Sequence, residues 1–347
     1  MPLQLNELRS GLWTPIRGGI TPGEPPVTTP VGDSWISGET KPTRLNSGAG
    51  IIAPYPTVKY TGPLTITVDK TVIENKVIDD YLTIAAADVV VRNCRITGKN
   101  TGFGTGAMRL VTCYSSKVKN ARIEFCDLIV YTPSPWWDAI GSHDYTAYRN
   151  YTSGVVDAFA IFNGNSGMGS AAVNVTIEGN FCDNQSFYSP DPSHATVDNQ
   201  THNDVVQVQG GKGAKILGNN FQSYFDPELG SYPVNGATRM PKIGTIAKRP
   251  QSLSCVMLTA GVGAITDLLI ENNWMGGGGI AINGGAALKA ASNSYTIRGN
   301  KFDHGQRYGS GNSTTCITIH PDVPTLITSG NIYEDNETAV LIRRAAA

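Results

Sequence analysis

Residues 174–181 read Asn174-Val-Thr-Ile-Glu-Gly-Asn-Phe181. The core of this stretch is an aliphatic residue, two variable residues and an asparagine, Ile177-Glu-Gly-Asn180. The same pattern returns as Ile216-Leu-Gly-Asn219, Ile270-Glu-Asn-Asn273 and Ile297-Arg-Gly-Asn300, with a weaker copy at Ala147-Tyr-Arg-Asn150. Upstream, cysteine takes the last place, in Val91-Arg-Asn-Cys94 and Ile123-Glu-Phe-Cys126. A final copy, Ile327-Thr-Ser-Gly-Asn331, is one residue longer. An aromatic often follows, as at Phe181, Phe221, Trp274 and Phe302.

From Cys94 to Asn331 the successive Cys/Asn positions lie 32, 24, 30, 39, 54, 27 and 31 residues apart. Periods of this size belong to solenoids and arrays. The segments are β-branched, rich in Asn and Gly, and lack a 3.6-residue period, so helical repeats are excluded. A leucine-rich repeat needs a leucine framework, which is absent. A propeller blade needs four antiparallel strands and a longer, more regular period. One coil of a three-sided parallel β-helix fits, and the intervals of 39 and 54 become coils with inserted loops. The expected fold is therefore all-β, a right-handed parallel β-helix over residues 57–347. Coils should stack at about 4.8 Å. Asn150, Asn180, Asn219, Asn273 and Asn300 should form a hydrogen-bonded ladder at one corner, continued by Cys94 and Cys126. The ladder asparagines are expected to take the left-handed bend themselves.

A second strand aligns in each coil: DAIGSH from Asp138, DAFAIF from Asp157, DVVQVQ from Asp204, CVMLTA from Cys255, GIAING from Gly279 and CITIHP from Cys316. The connections into this strand after Asn180 and Asn219 are long. Long loops on one side of a rigid scaffold are where binding tends to sit. The GGKGAK at 210–215 lacks the spacing of a phosphate loop and reads as a turn, and the GGGG at 276–279 as a tight corner.

Residues 1–56 hold nine prolines. Proline removes backbone donors and fixes φ, so this segment is an irregular Pro/Gly-rich arm that must lie on a partner chain or on the body. The open ends of a β-helix need cover. Together these features predict a homo-oligomer, most simply a trimer, with the arm buried on other chains. Net charge is −1 with 16% charged residues, which does not point to nucleic acid. No apolar run reaches the roughly 20 residues of a membrane span. The N-terminus shows no secretory signal pattern. The six cysteines form no CxxC pair and read as buried free thiols.

Chemistry concentrates on three residues. Asp138, Asp157 and Asp204 open equivalent strands in consecutive coils. Neighbours then lie about 5 Å apart and the outer pair about 10 Å, near the carboxylate separations of retaining and inverting glycosidases. Crowded carboxylates raise one another's pKa. The competing reading is that they cap the turn into each strand. His202 and His143 are candidates to act with them, as base or as a sugar-hydroxyl partner. Trp136, Trp137, Tyr188 and Tyr224 are expected to stack on sugar rings or to anchor a neighbouring subunit. The acidic loop carrying Asp191, His194 and Asp198 has no EF-hand spacing, and neither metal nor cofactor is expected.

The stretch TGPLTITVDKTVIENKVIDDYLTIAAADVVVRNCRITG, residues 61–98, resembles the opening coils of the pectate-lyase-like β-helix proteins of actinobacteria and their phages. HNDVVQVQ at 202–209 is similar to an HNDG-type strand of that group, with Val205 where glycine is common. The WxDH and RxPxxR motifs of pectate lyases and the GHG and RIK motifs of polygalacturonases are absent. The resemblance, with the Pro-rich arm, implies a minor tail protein: a tail fibre or spike in a virion. Its partners would be other tail proteins through the arm and a host surface polysaccharide along the flank. An extracellular polysaccharide hydrolase or lyase, and a non-viral adhesin, are the alternatives.

Overall fold

The computed structural model describes residues 35–98, 108–130, 135, 137–163, 172–183, 185–186, 188–189, 201–223, 233–234, 237–239, 254–285, 292–304 and 315–345. Three ten-stranded, all-parallel sheets wind into a right-handed β-helix. Sheet A runs from Val58–Lys59 to Ile332–Tyr333, sheet B from Thr65–Ile66 to Leu341–Arg344, and sheet C from Val72–Glu74 to Leu326–Ser329. The chain visits them in the order B, C, A in every coil. A small antiparallel sheet joins Tyr188–Ser189 and Pro233–Val234 to Ala237–Arg239, within the two long insertions. Among the described residues no helix is long and apolar enough to cross a membrane.

The repeat aliphatics explain the core. Val91, Ile123, Ala147, Ile177, Ile216, Ile270 and Ile297 are in register along sheet C and all are buried. Ile140, Phe159, Val206, Val256, Ile282 and Ile317 make the matching column on sheet B. Each buried side chain of this size contributes about 1.5–3 kcal/mol, so the column is a continuous hydrophobic rod. All six cysteines are buried free thiols.

The asparagine ladder lies at the corner from sheet C to sheet A. Each ladder asparagine donates from its backbone N–H and its Nδ2 to Oδ1 of the next, through Asn150, Asn180, Asn219, Asn273, Asn300 and Asn331, at 2.9–3.2 Å. The same Nδ2 reaches the repeat aliphatic's carbonyl one coil back, as in Asn219 to Ile177 O at 2.9 Å. Cys126 and Cys94 copy that second bond with Sγ, to Val91 O and Ile73 O.

The expectation that the ladder asparagines themselves bend left-handed is corrected. Positive φ falls one residue earlier, at Asn93, Phe125, Arg149, Gly179, Gly218, Asn272, Gly299 and Gly330. That residue turns the chain, which leaves the asparagine side chain buried over the neighbouring coil. The sheet-B alignment also shifts by one residue after Asp204. Its partner is Ser254, not Cys255, and the positions equivalent to Gly279 and Cys316 move to Ile280 and Thr315 by the same register. Gly276 and Gly277 belong to the sheet-A strand Trp274–Gly277, so the corner expected of that glycine run begins only at Gly277 and Gly278, both at positive φ.

The expectation that the arm is buried on other chains is corrected for residues 35–56, which lie on this chain's own body, outside the ladder corner. Lys41 pairs with Glu334, Asn220 Nδ2 donates to Pro42 O, Ser47 Oγ to Gly179 O, Gly48 N to Arg149 O, and Gly50 N to Asn93 Oδ1. The strap thus crosses most of the coils. Its anchor is Asp127, fully buried, which accepts from Arg44 Nη2 at 2.8 Å, Ala49 N at 2.9 Å and Tyr55 Oη at 2.8 Å. Glycine is required beneath it. A Cβ at Gly179 would lie 2.6 Å from Trp35 Cζ2, and one at Gly218 2.7 Å from Gly38 N.

Candidate functional site

The three aspartates stand at the start of their sheet-B strands, where the chain turns in from sheet A. Ile140 pairs with Phe159 and Phe159 with Val206, so the register carried back two residues sets Asp138 beside Asp157 and Asp157 beside Asp204. Arg109 pairs with Asp138 one coil below, and Ser254 with Asp204 one coil above. The result is a row: Arg109, Asp138, Asp157, Asp204, Ser254.

The row is largely enclosed. Asp204 is 1% exposed and Asp157 8%. The Asp138 side chain is 15% exposed and meets Arg109 Nη2 at 3.3 Å. Asp157 Oδ1 accepts the backbone amide of Asp204 at 2.8 Å. One Asp204 oxygen, Oδ1, is buried without a hydrogen-bond partner among the described residues. Around the row lies a buried polar shell. Gln185 Nε2 and Asn203 Nδ2 both donate to Val156 O, at 2.8 and 3.2 Å. Thr201 Oγ1 donates to Asn203 Oδ1 at 2.7 Å, and Ser223 Oγ to Gln185 Oε1 at 3.0 Å.

Electrostatics follow from this burial. Asp138 is pushed up to about 6 by loss of water, with Arg109 pulling the other way. Asp157 is raised well above the usual carboxylate range by burial, and then by the charges of Asp138 and Asp204. Asp204 is raised well above it by burial, with Ser254 opposing. Among the described residues Arg109 is the cation that faces these three carboxylates, and burial favours the protonated form at Asp157 and Asp204. Such a row can hold and exchange protons, and it can also simply tie successive coils together.

His143 does not join it. His143 follows Ser142 at the opposite end of the strand Trp137–Ser142, five residues from Asp138, which is about 16 Å along a strand. His202 is exposed, two residues before Asp204. Trp137 is 2% exposed and lies in the core against Gly98, and Tyr145 is fully buried with Oη donating to Ala160 O. Trp136 and Tyr224 lie outside the described residues, as do Asp191, His194 and Asp198. Tyr188 sits in a strand pairing with Arg239.

His143 belongs to a second feature, a notch at the corner from sheet B to sheet C. Here the corner of one coil is cut to His143 and Asp144, while its neighbours span 114–120 and 162–175. Ser116, Val118, Lys119, Asn120, His143, Asp144, Asn163 and Asn174 line a cavity of about 370 Å³. His143, 3% exposed, forms the floor, with Nδ1 2.7 Å from Asp144 Oδ2. Asn174 Nδ2 donates to Asp144 Oδ1 at 2.8 Å, and Asn120 Nδ2 to Asp88 Oδ1 at 3.1 Å.

Sequence reasoning missed Arg109, Ser254 and the notch residues other than His143 and Asp144. Arg109 was findable, since MRLVTC is a further copy of the sheet-B strand. The notch was not, because it depends on the relative lengths of three corners. A scan against protein-family models gives no match, and searches of curated proteins and of solved structures return none.

Proposed function

We propose that this chain is a structural, receptor-facing protein of a virion tail whose β-helix flank holds a host envelope glycan. What carries the reading is the state of the three aspartates. Asp157 accepts a backbone amide from the next coil, and Asp157 and Asp204 are shut away from solvent, which is how a row that fastens coils behaves. A glycosidase needs its acid and its nucleophile or base at a surface a sugar can reach. The resemblance of residues 61–98 and 202–209 to β-helix proteins of actinobacteria and their phages supports the virion setting. A rod with a strap running along it suits a fibre or spike, and assembly as a homotrimer docked on other tail proteins completes the proposal.

One observation favours a second reading, a polysaccharide hydrolase. Asp138 keeps partial exposure, is raised to about 6, and stands one coil from another carboxylate, which are properties of a general acid. The deciding experiment incubates the purified chain with host cell envelopes and measures both retention and release of reducing ends. The tail-protein reading expects retention without release, unchanged in Asp157→Asn and Asp204→Asn. Release that disappears in Asp138→Asn would establish the hydrolase instead.

A further inference from the structure

We infer that the notch floored by His143 and Asp144 is a binding subsite for a sugar unit carrying one anionic group. This deepens the glycan-holding reading above and rests on it.

The argument begins with shape. The two-residue corner His143–Asp144 stands between Ser116–Asn120 of one coil and Asn163 and Asn174 of the next, and the 370 Å³ they line is enough for one or two sugar rings. The lining decides the chemistry. Val118 is the one apolar side chain among the eight, so the recess does not suit a hydrophobic ligand. Asp144 has both oxygens engaged, one with His143 Nδ1 and one by Asn174 Nδ2, so each already has a partner within the wall. Asn120 and Asn174 each commit an amide N–H to a neighbouring aspartate. Their Oδ1 atoms are left to accept hydrogen bonds, which sugar hydroxyls supply. Ser116 adds a hydroxyl that can donate or accept. Lys119 makes no ion pair among the described residues and brings a flexible ammonium to the same wall. Amide acceptors with one unpaired cation describe a hydroxylated ligand with one negative charge. Lysine acts as a point charge, so the group can be a carboxylate or a phosphate.

The test uses the whole chain and three probes, D-glucuronate, glucose 6-phosphate and D-glucose, titrated by ligand-observed NMR. Wild type is expected to bind one or both anionic sugars at least about tenfold more tightly than glucose, the worth of a charge-assisted hydrogen bond. The two anionic arms tell carboxylate from phosphate. Lys119→Met should erase that preference, and Asn174→Leu, which fills the recess, should remove binding of all three. Equal binding of glucose and both anions, or a preference that survives Lys119→Met, overturns the subsite. A glycan array run on wild type and Lys119→Met separates the two levels. Array binding unchanged by the substitution sinks the notch and leaves the glycan-holding reading standing. A wild-type chain that retains no glycan at all sinks that reading as well.

Discussion

Replacing Asn219 with alanine tests the ladder at its middle. Asn219 Nδ2 donates to Ile177 O and to Asn273 Oδ1, and its Oδ1 accepts from Asn180 N and Asn180 Nδ2, all at 2.9 Å. Alanine removes all four. The groups left behind are not equally harmed. Asn180 Nδ2 keeps Ala147 O at 2.9 Å, and Asn273 Oδ1 keeps the backbone N–H of residue 219. The Asn180 backbone N–H, fully buried, has no second partner in the ladder. Orphaning it costs about 1–3 kcal/mol, and each of the other lost bonds about 0.5–1.5. The sum is about 5 kcal/mol. With a urea slope of roughly 3 kcal/mol/M for a chain of this size, the midpoint should fall by about 1.7 M. Arg92→Ala, which breaks an exposed pair with Glu74, is the control and should cost under about 1 kcal/mol. A shift in the Asn219→Ala midpoint no larger than that control's would refute the claim that the ladder holds the coils in register.

The aspartate row predicts a pH dependence of stability. A carboxyl group whose folded pKa is raised makes the folded state bind the extra proton, so stability falls as pH rises from the unfolded value to the folded one. For Asp138, about 3.9 to about 6, this amounts to about 3 kcal/mol lost between pH 4 and pH 6. Asp157 and Asp204, raised further, should extend the fall upward, and Asp138→Asn should flatten only the lower part; urea titrations at stepped pH read both. In the strap, Arg44→Ala removes the guanidinium that meets buried Asp127 at 2.8 Å and should cost about 3–5 kcal/mol of strap docking. Limited chymotrypsin digestion should then cut after Leu45 much faster while the β-helix stays intact, and an unchanged rate would deny the anchor. Sedimentation should find a homotrimer, and a monodisperse monomer would remove the assembly part of the proposal.

The fold was legible because its signal is a repeat. The Ile-x-x-Asn pattern marks the place where sheet C ends and sheet A begins, and it must recur if coils are to stack. The finer geometry at that corner was not legible. Asn tolerates a left-handed backbone, so composition alone allowed the bend at Asn180. Gly179 carries it instead, because a buried amide that bonds up and down the stack needs an extended backbone beneath it. The one-residue slip at Ser254 has a similar origin. Cys255, Val205 and Ala281 are all apolar and buried, and an apolar residue is the easier landmark to align than the polar row beside it. The carboxylate row was visible as three strand-opening aspartates, but its burial was not. That depends on the shell of Gln185, Thr201, Asn203 and Ser223, which lies outside the repeating pattern.

Corner length, more than residue type, decides where this solenoid is open to a ligand. Asp138, Asp157 and Asp204 are the residues chemistry would choose, yet they sit where the chain turns inward and a polar shell closes over them. His143 and Asp144 are ordinary corner residues by type. They line the recess, His143 as its buried floor, where their two-residue corner lies beside longer connections. In a helical stack, lengthening one loop shades its neighbours, and shortening one loop exposes what lies between them. The same arithmetic applied to this chain separates two duties that the sequence had placed together. The start of sheet B fastens coil to coil, and the far end of the same strands presents the recess. A substitution in the first should move stability and leave sugar binding alone, and a substitution in the second should do the reverse.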